Sequence, residues 1–354
     1  MAAISAVIPS IGRDLGLSDL EVAKLVPYYM IPYGIGALLC VPLTRYFSYR
    51  SILVLSMAFF AVSSALCAVL NSLPYLLWGR IVMGISAAGI TPLALMMMSE
   101  FFDKNIRGRV VGAFFSCSFF ASLAGVALSG VADWRLLFWV PAALGTLLAL
   151  GFQYYGTELT NKVHGVTIDY VKAIRNPAIG KIFLFIFVIS LFYHGVRNWF
   201  GVYLSQIYHL DKFTISLYFI LIAIGGMVGQ SLGGFLSDKK GRFITAQIGG
   251  VGLGISTMLL FGQFHFVILG LILVLISVFW TINHNGISTI LTDFSQHERG
   301  EIAGLNSSVR FLAGGIGFSI TKIFVEKSFS FTFLGIGFLM LVASLFLKRL
   351  LPST

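Results

Sequence analysis

The chain has 354 residues, of which 57% are apolar and only 11% charged, with a formal net charge of +10. A charged fraction less than half that of a soluble domain excludes a water-soluble enzyme or binding module and implies an integral membrane protein. The basic excess lies in short loops between apolar runs, where it sets orientation in a bilayer, and no aromatic-basic patch suited to nucleic acid is present.

A span needs roughly 20 apolar residues, because a helix rises about 1.5 Å per residue across a core about 30 Å thick. The start, 1–12, is too short to cross. Full spans are expected at 21–44, 50–70, 74–101, 109–131, 136–155, 181–205, 213–237, 243–262, 266–293, 301–325 and 329–350. Counted over alternate loops, fifteen Lys and Arg fall on one side and six on the other, which assigns the first set and the C-terminus to the cytoplasm. The longest connection, 156–180, lies on that side and contains "TIDYVKAIRNP", read as a short surface helix. Three domains follow: an N-terminal bundle at 1–155, a cytoplasmic linker at 156–180 and a C-terminal bundle at 181–354. Cys40, Cys67 and Cys117 sit inside apolar runs without ligand spacing, so no metal or other cofactor is expected.

The two halves repeat. "VPLTRYFSYR" at Val41 and "GFLSDKKGRF" at Gly234 stand 193 positions apart, and "RGRVVG" at Arg107 and "RGEIAG" at Arg299 stand 192 apart, the offset that also maps Gly125 onto Gly317. Two landmarks with one offset imply two six-helix units in the same membrane orientation, the parallel repeat of many secondary transporters. At that offset Met1 falls opposite His194, midway through a helix. A start upstream of Met1 is therefore the expectation for the truncated first helix, with a fragment or a tolerated half-helix as alternatives.

The motifs resemble those of the major facilitator superfamily. Its signature Gly-x-Leu-x-Asp-x-x-Gly-Arg is intact as Gly234, Leu236, Asp238, Gly241 and Arg242. The first-half copy has Val41, Arg45 and Ser48 in place of Gly, Asp and Gly. "RIVMGISAAG" matches the family's Arg-x-x-x-Gly in helix 4 through Arg80 and Gly84, and "ADWRLLFWV" is similar to the Trp-Arg-x-x-Phe that enters helix 6. The resemblance covers the whole chain. It implies an all-α integral membrane fold of two parallel six-helix bundles, twelve transmembrane helices in all, working by alternating access as a monomer in a plasma or bacterial inner membrane. The branch stays open: helix 4 resembles drug/proton antiporters, which carry Gly-Pro in helix 5 where this chain has Gly125-Val126. "GVRNWFGVYL" resembles the organophosphate/phosphate and anion/cation branches, with Tyr193 at their phosphate-binding Arg position.

Charge inside hydrocarbon marks functional candidates. All 14 acids fall in loops or at helix ends, whereas Arg80, Arg197 and Arg310 fall within spans. Three buried guanidiniums without a buried acid need a negative charge from elsewhere, so the expected solute is small and anionic or carboxylate-bearing. Arg197 and Arg310 are its expected contacts. His194 and His284 are the groups able to carry a coupled proton, since imidazole titrates in the physiological range. Tyr29, Tyr33, Trp199, Asn283 and Asn306 complete the candidate binding set, and glycines at 225, 229 and 233 repeat every four residues, a spacing for close helix approach. An efflux-type drug/proton antiporter is the alternative function, and a non-transporting receptor or scaffold derived from a transporter is the remote one. No nucleophile-base or metal motif of an intramembrane enzyme appears.

The signature loops read as cytoplasmic gates. Asp238 at a helix 8–9 turn is expected to meet the positive N-terminus of helix 5, beside Arg107 and Arg109. The first-half copy carries Arg45 instead of Asp, and its expected partner loop carries Glu298 and Glu301 instead of bases, so the polarity is inverted. Arg45→Asp is expected to impair transport, and adding Glu298→Arg with Glu301→Arg to restore part of it in a vesicle uptake assay. A purely additive loss would reject the pairing.

Overall fold

The computed structural model describes residues 2–44, 46–102, 104–156, 169–291 and 299–347. It is all-helical, and its residues cluster into two compact units, Met1–Ile168 with Ala303–Leu312, and Asp169–Ile302 with Ala313–Thr354. In chain order the helices are α1 (Ala2–Leu15), α2 (Asp19–Val22), α3 (Pro27–Leu43), α4 (Tyr49–Val69), α5 (Leu73–Ala87), α6 (Ile90–Phe101), α7 (Lys104–Val131) and α8 (Leu136–Tyr155). Then come α9 (Tyr170–Arg175), α10 (Pro177–Arg197), α11 (Phe200–Tyr208), α12 (Lys212–Lys240), α13 (Arg242–Leu259), α14 (Phe266–Leu291), α15 (Arg299–Val325) and α16 (Phe329–Leu345). Among the described residues eight spans are long and apolar enough to cross a membrane, and two apolar helices are shorter.

The helix starts are written locally. Ser18 and Glu21 form a capping box that satisfies the first amides of α2. Ser48, Asp211 and Ser328 cap α4, α12 and α16 through side-chain oxygens. In the expected linker, Asp169 caps α9, and Asn176 followed by Pro177 opens α10. Gly241 separates α12 from α13 at φ 85°, a conformation that a residue with a Cβ adopts only under strain, which accounts for the second glycine of the signature.

Three expected spans are broken, the first being 21–44, where a short 3-10 turn at Ala23–Leu25 separates α2 from α3. The run 74–101 divides into α5 and α6 at Ala88–Gly89, and 181–205 divides into α10 and α11 at Asn198–Trp199. The breaks at Ala88–Gly89 and Asn198–Trp199 contain no proline, so composition gave no sign of them.

In the first unit α4 packs on α8 and α6 through Tyr49, Ile52, Leu53, Met57, Leu93 and Ala149. At Gly84 a Cβ would run into the backbone carbonyl of Tyr29, so this glycine sets the close approach of α5 to α3. The Trp-Arg pair seen in "ADWRLLFWV" builds a polar knot at one end of the unit. Arg135 pairs with Asp14 at 2.8 Å and donates to Asn71 Oδ1, its guanidinium lies 4.4 Å from the Trp134 ring centre, and Trp134 Nε1 donates to Asp14 Oδ2. The Arg135 hydrogen bond, aided by that of Trp134, holds the Asp14 carboxyl below its ordinary value. A depressed carboxylate stabilises the fold above its unfolded value, about 3.9, and loses that contribution as pH falls through the folded value. Asp14→Asn is therefore expected to lower stability by about 0.2–1 kcal/mol at neutral pH, the range for an exposed pair. The gap between wild-type and variant melting temperatures should close on acidification below about pH 4.

In the second unit the expected glycine seam is present. Added Cβ atoms at Gly225, Gly229 and Gly233 of α12 would strike Val274, Val278 and Ile282 of α14, so the two backbones nearly touch.

Candidate functional site

In the first unit the guanidiniums of α5 and α15 are joined by a row of rings. Arg80, 3% exposed, donates from Nε to the Leu25 carbonyl at 3.0 Å, and its guanidinium carbon lies 4.2 Å from the Tyr29 ring centre. Tyr29 neighbours Tyr33 at 6.0 Å between ring centres, and Tyr33 stacks on Phe311 at 3.8 Å. The residue before Phe311 is Arg310, 8% exposed, whose Nε donates to Asn306 Oδ1 at 2.9 Å. Its Nη2 is buried and has no hydrogen-bond partner among the described residues. An unsatisfied donor on a charged, buried group is costly, and it is the kind of group that a ligand anion completes.

Beside Arg80 and Tyr29 the same unit has an open-sided cavity of about 1120 Å³. Its walls include Met57, Met83, Met97, Met98 and Phe138, and Arg80 is the one charged side chain among its described lining residues. Unbranched, polarizable methionines adapt to varied apolar shapes.

The second unit holds a separate cluster. Tyr193 stacks on Trp280 at 3.8 Å with ring planes 4° apart. His194 lies 5.6 Å and His284 6.0 Å from the Trp280 ring centre. Half-buried Arg197, one turn beyond His194 in the last turn of α10, makes no hydrogen bond or ion pair among the described residues.

Other candidates do different work. Trp199 is fully buried, stacked on Phe318 at 4.3 Å, with Nε1 donating to Thr321 Oγ1 at 3.0 Å. It is a packing residue of the second unit with no face open to a solute. Asn283 is also buried, and its amide donates to the Ala246 carbonyl at 2.7 Å, clamping α14 to α13. Sequence reading missed Phe311 and Trp280. Their positions beside Arg310 and four residues before His284 were the available signals.

Among the gate candidates, Asp238 is exposed in the last turn of α12, Gly234 stands where an added Cβ would meet nothing, and Arg242 donates to the Thr289 carbonyl at 3.3 Å. Glu301 is 7% exposed and accepts a hydrogen bond from the Asp169 backbone amide at 3.3 Å. It thus ties the start of α15 to the residue that caps α9. Arg45 and Glu298 lie outside the described residues, as do the side chains of Arg107 and Arg109.

Residues 1–318 match the family model described as Major Facilitator Superfamily. The chain belongs to the major facilitator superfamily. It is a multi-pass membrane transporter of that superfamily. It is 25% identical over 334 residues to the MFS-type transporter YwfA of Bacillus subtilis (strain 168), covering 89% of this chain and 79% of the relative. It is 27% identical over 264 residues to a probable L-galactonate transporter of Escherichia coli (strain K12), covering 67% of this chain and 57% of that one. A chloramphenicol resistance protein of Streptomyces lividans is 24% identical over 70% of this chain and 65% of its own length. The fold resembles the nucleoside transporter NupG (TM-score 0.79, 12% identity, 99% of this chain and 96% of that one). It also resembles a D-xylose-proton symporter (TM-score 0.77, 19% identity, 99% and 94%). At such identities the structural likeness concerns the superfamily fold alone.

Proposed function

We propose that this superfamily member moves a small organic anion, in particular a carboxylate, by alternating access in a bacterial inner membrane, with its C-terminus cytoplasmic. The observation that carries the reading is Arg310, a buried guanidinium oriented by Asn306 with its Nη2 donor left over. A carboxylate oxygen supplies both the missing acceptor and the missing charge. Tyr29 and Tyr33 give the solute's carbon skeleton an apolar edge next to that charge. Arg197, in the second unit, is a further cation for the same solute class. Arg80 holds the first unit together through Leu25 and Tyr29 and adds positive potential. The probable galactonate transporter among the relatives handles a sugar acid by its printed name, which agrees with this class.

Efflux of an apolar solute is the second reading, favoured by the methionine-lined cavity and by the resistance protein among the relatives. One experiment addresses both: uptake and efflux in proteoliposomes across a panel of carboxylates and neutral or cationic drugs, with wild type and the Arg310→Ala, Arg197→Ala double variant. Loss of carboxylate transport supports the anion reading. Undiminished transport of a neutral or cationic drug by the double variant, with no carboxylate transport by wild type, overturns it.

A further inference from the structure

We propose that α9 is a docking surface for anionic phospholipid, at the membrane face where α10 enters the bilayer. Its place follows from the chain: Asn176 alone separates Arg175, the last residue of α9, from Pro177, which opens a span long and apolar enough to cross a membrane. A helix one residue from such a span lies at the level of the headgroups. It is also held there. Asp169 caps it by accepting from the Lys172 amide at 2.9 Å, and buried Glu301 accepts from the Asp169 amide at 3.3 Å. At the other end an added Cβ on Gly180 would strike the Ile174 carbonyl, so α9 and α10 meet in a tight corner.

The residues of α9 divide by face. Ala173 is 2% exposed and turns inward, with half-buried Tyr170 on the same side. At about 100° per residue, Ile174, Val171, Arg175 and Lys172 follow one another around an arc of about 160°. All four are exposed, Val171 at 60% and Ile174 at 47%. The arc is therefore apolar along one edge and basic along the other, the pattern of a helix lying in the plane of an interface. No acid lies on it. Asp169, the one carboxylate between 169 and 181, is occupied by the Lys172 amide, and Lys181 adds an exposed base one turn into α10.

Neither Lys172 nor Arg175 makes a side-chain hydrogen bond or ion pair among the described residues. Against a bilayer, Val171 and Ile174 enter the boundary of the hydrocarbon and the two cations reach the phosphates above it. The Arg175 guanidinium can take a lipid phosphate through two parallel N–H donors, and the Lys172 ammonium adds a point charge. A zwitterionic lipid holds its phosphate beside its own ammonium, which competes with these bases; an anionic headgroup has no such internal cation. Each base near an anionic surface strengthens attachment about fivefold, and the two together about 30-fold. A soluble anion would satisfy the bases and leave Val171 and Ile174 in water, so the paired edges favour lipid.

The test is hydrogen exchange of the backbone amides in 170–176, measured on the purified full-length protein in nanodiscs of phosphatidylcholine alone and of phosphatidylcholine with phosphatidylglycerol. The expected result is exchange slowed about 5- to 30-fold by phosphatidylglycerol, an effect that shrinks as salt is raised. The Lys172→Gln, Arg175→Gln double variant should lose the difference while keeping the wild-type rate in phosphatidylcholine, since Gln forms helix about as well as the residues it replaces. Lys239→Gln with Lys240→Gln, at the end of α12, is the control for general surface charge and should keep the difference. Equal exchange in the two lipids overturns the proposal, as does a difference that survives the Lys172, Arg175 variant or is lost to the same degree in the control. Inorganic phosphate added to the phosphatidylcholine discs should give no protection; protection by it would mean a soluble anion and overturns the docking. If the double variant melts α9, the wild-type salt titration decides, because a slowing that raised salt leaves intact is not electrostatic and also overturns the proposal. None of these measurements uses a transported solute, so their outcome is separate from that of the carboxylate reading.

Discussion

Arg310→Gln is expected to raise the half-saturation concentration for a carboxylate solute about 10- to 150-fold. The magnitude follows from one charge-assisted hydrogen bond, worth ~1.5–3 kcal/mol, with tenfold in affinity for each ~1.4 kcal/mol. Gln keeps a donor but removes the charge. Arg310→Lys keeps the charge but loses the planar fork, so Asn306 and a ligand can no longer be served at once; an intermediate loss is expected. Asn306→Ala leaves Nε without its acceptor and frees the guanidinium to turn, which should cost less than either change at Arg310. Competition binding or counterflow measurements give the order directly. An Arg310→Gln protein that transports carboxylates with wild-type saturation would overturn the role. A protein that has merely unfolded is recognised by its loss of helical circular dichroism.

The second large effect concerns stability. Gly317→Ala is expected to destabilise the second unit by roughly 1–3 kcal/mol, the usual cost of overpacking, or about 5 °C in melting temperature. The cause is backbone meeting backbone: a Cβ at Gly317 of α15 would overlap the Leu191 carbonyl of α10, and no flexible side chain is there to yield. The Gly195–Thr321 contact one turn away fixes the same pair of helices, with Thr321 Oγ1 donating to the Gly195 carbonyl at 3.0 Å. Gly335→Ala is the matched control, because an added Cβ there meets nothing within 4 Å. Equal melting temperatures for the two variants would show that α10 and α15 can separate without cost.

Much of the helical plan is readable from hydropathy because a bilayer demands long apolar runs and tolerates few alternatives. The linker helix was readable for a local reason, since Asp169 and Asn176 carry their capping function in their own side chains. The breaks at Ala88–Gly89 and Asn198–Trp199 were not, as nothing in those residues forbids a continuous helix. The same contrast separates the candidate residues. Arg80 and Arg310 announced themselves by charge in a span, whereas what each meets was hidden. Leu25 serves Arg80 through a backbone carbonyl, and backbone atoms are the same in every sequence. Trp199 and Trp280 look alike on paper. Only the direction of each side chain makes one a core filler on Thr321 and the other the floor between two histidines.

The glycine seam between α12 and α14 has a mechanical consequence. Where two helices meet backbone to backbone there is no layer of rotatable side chains to absorb shear, so the pair is stiff in the way that a glued joint is stiffer than a padded one. Deformation within the second unit must then collect elsewhere, and the interruption between α10 and α11 at Asn198–Trp199 is the compliant point on offer. Tyr193, His194 and Arg197 all lie within the turn and a half before that interruption, so a small change of bend there would shift all three together relative to α11.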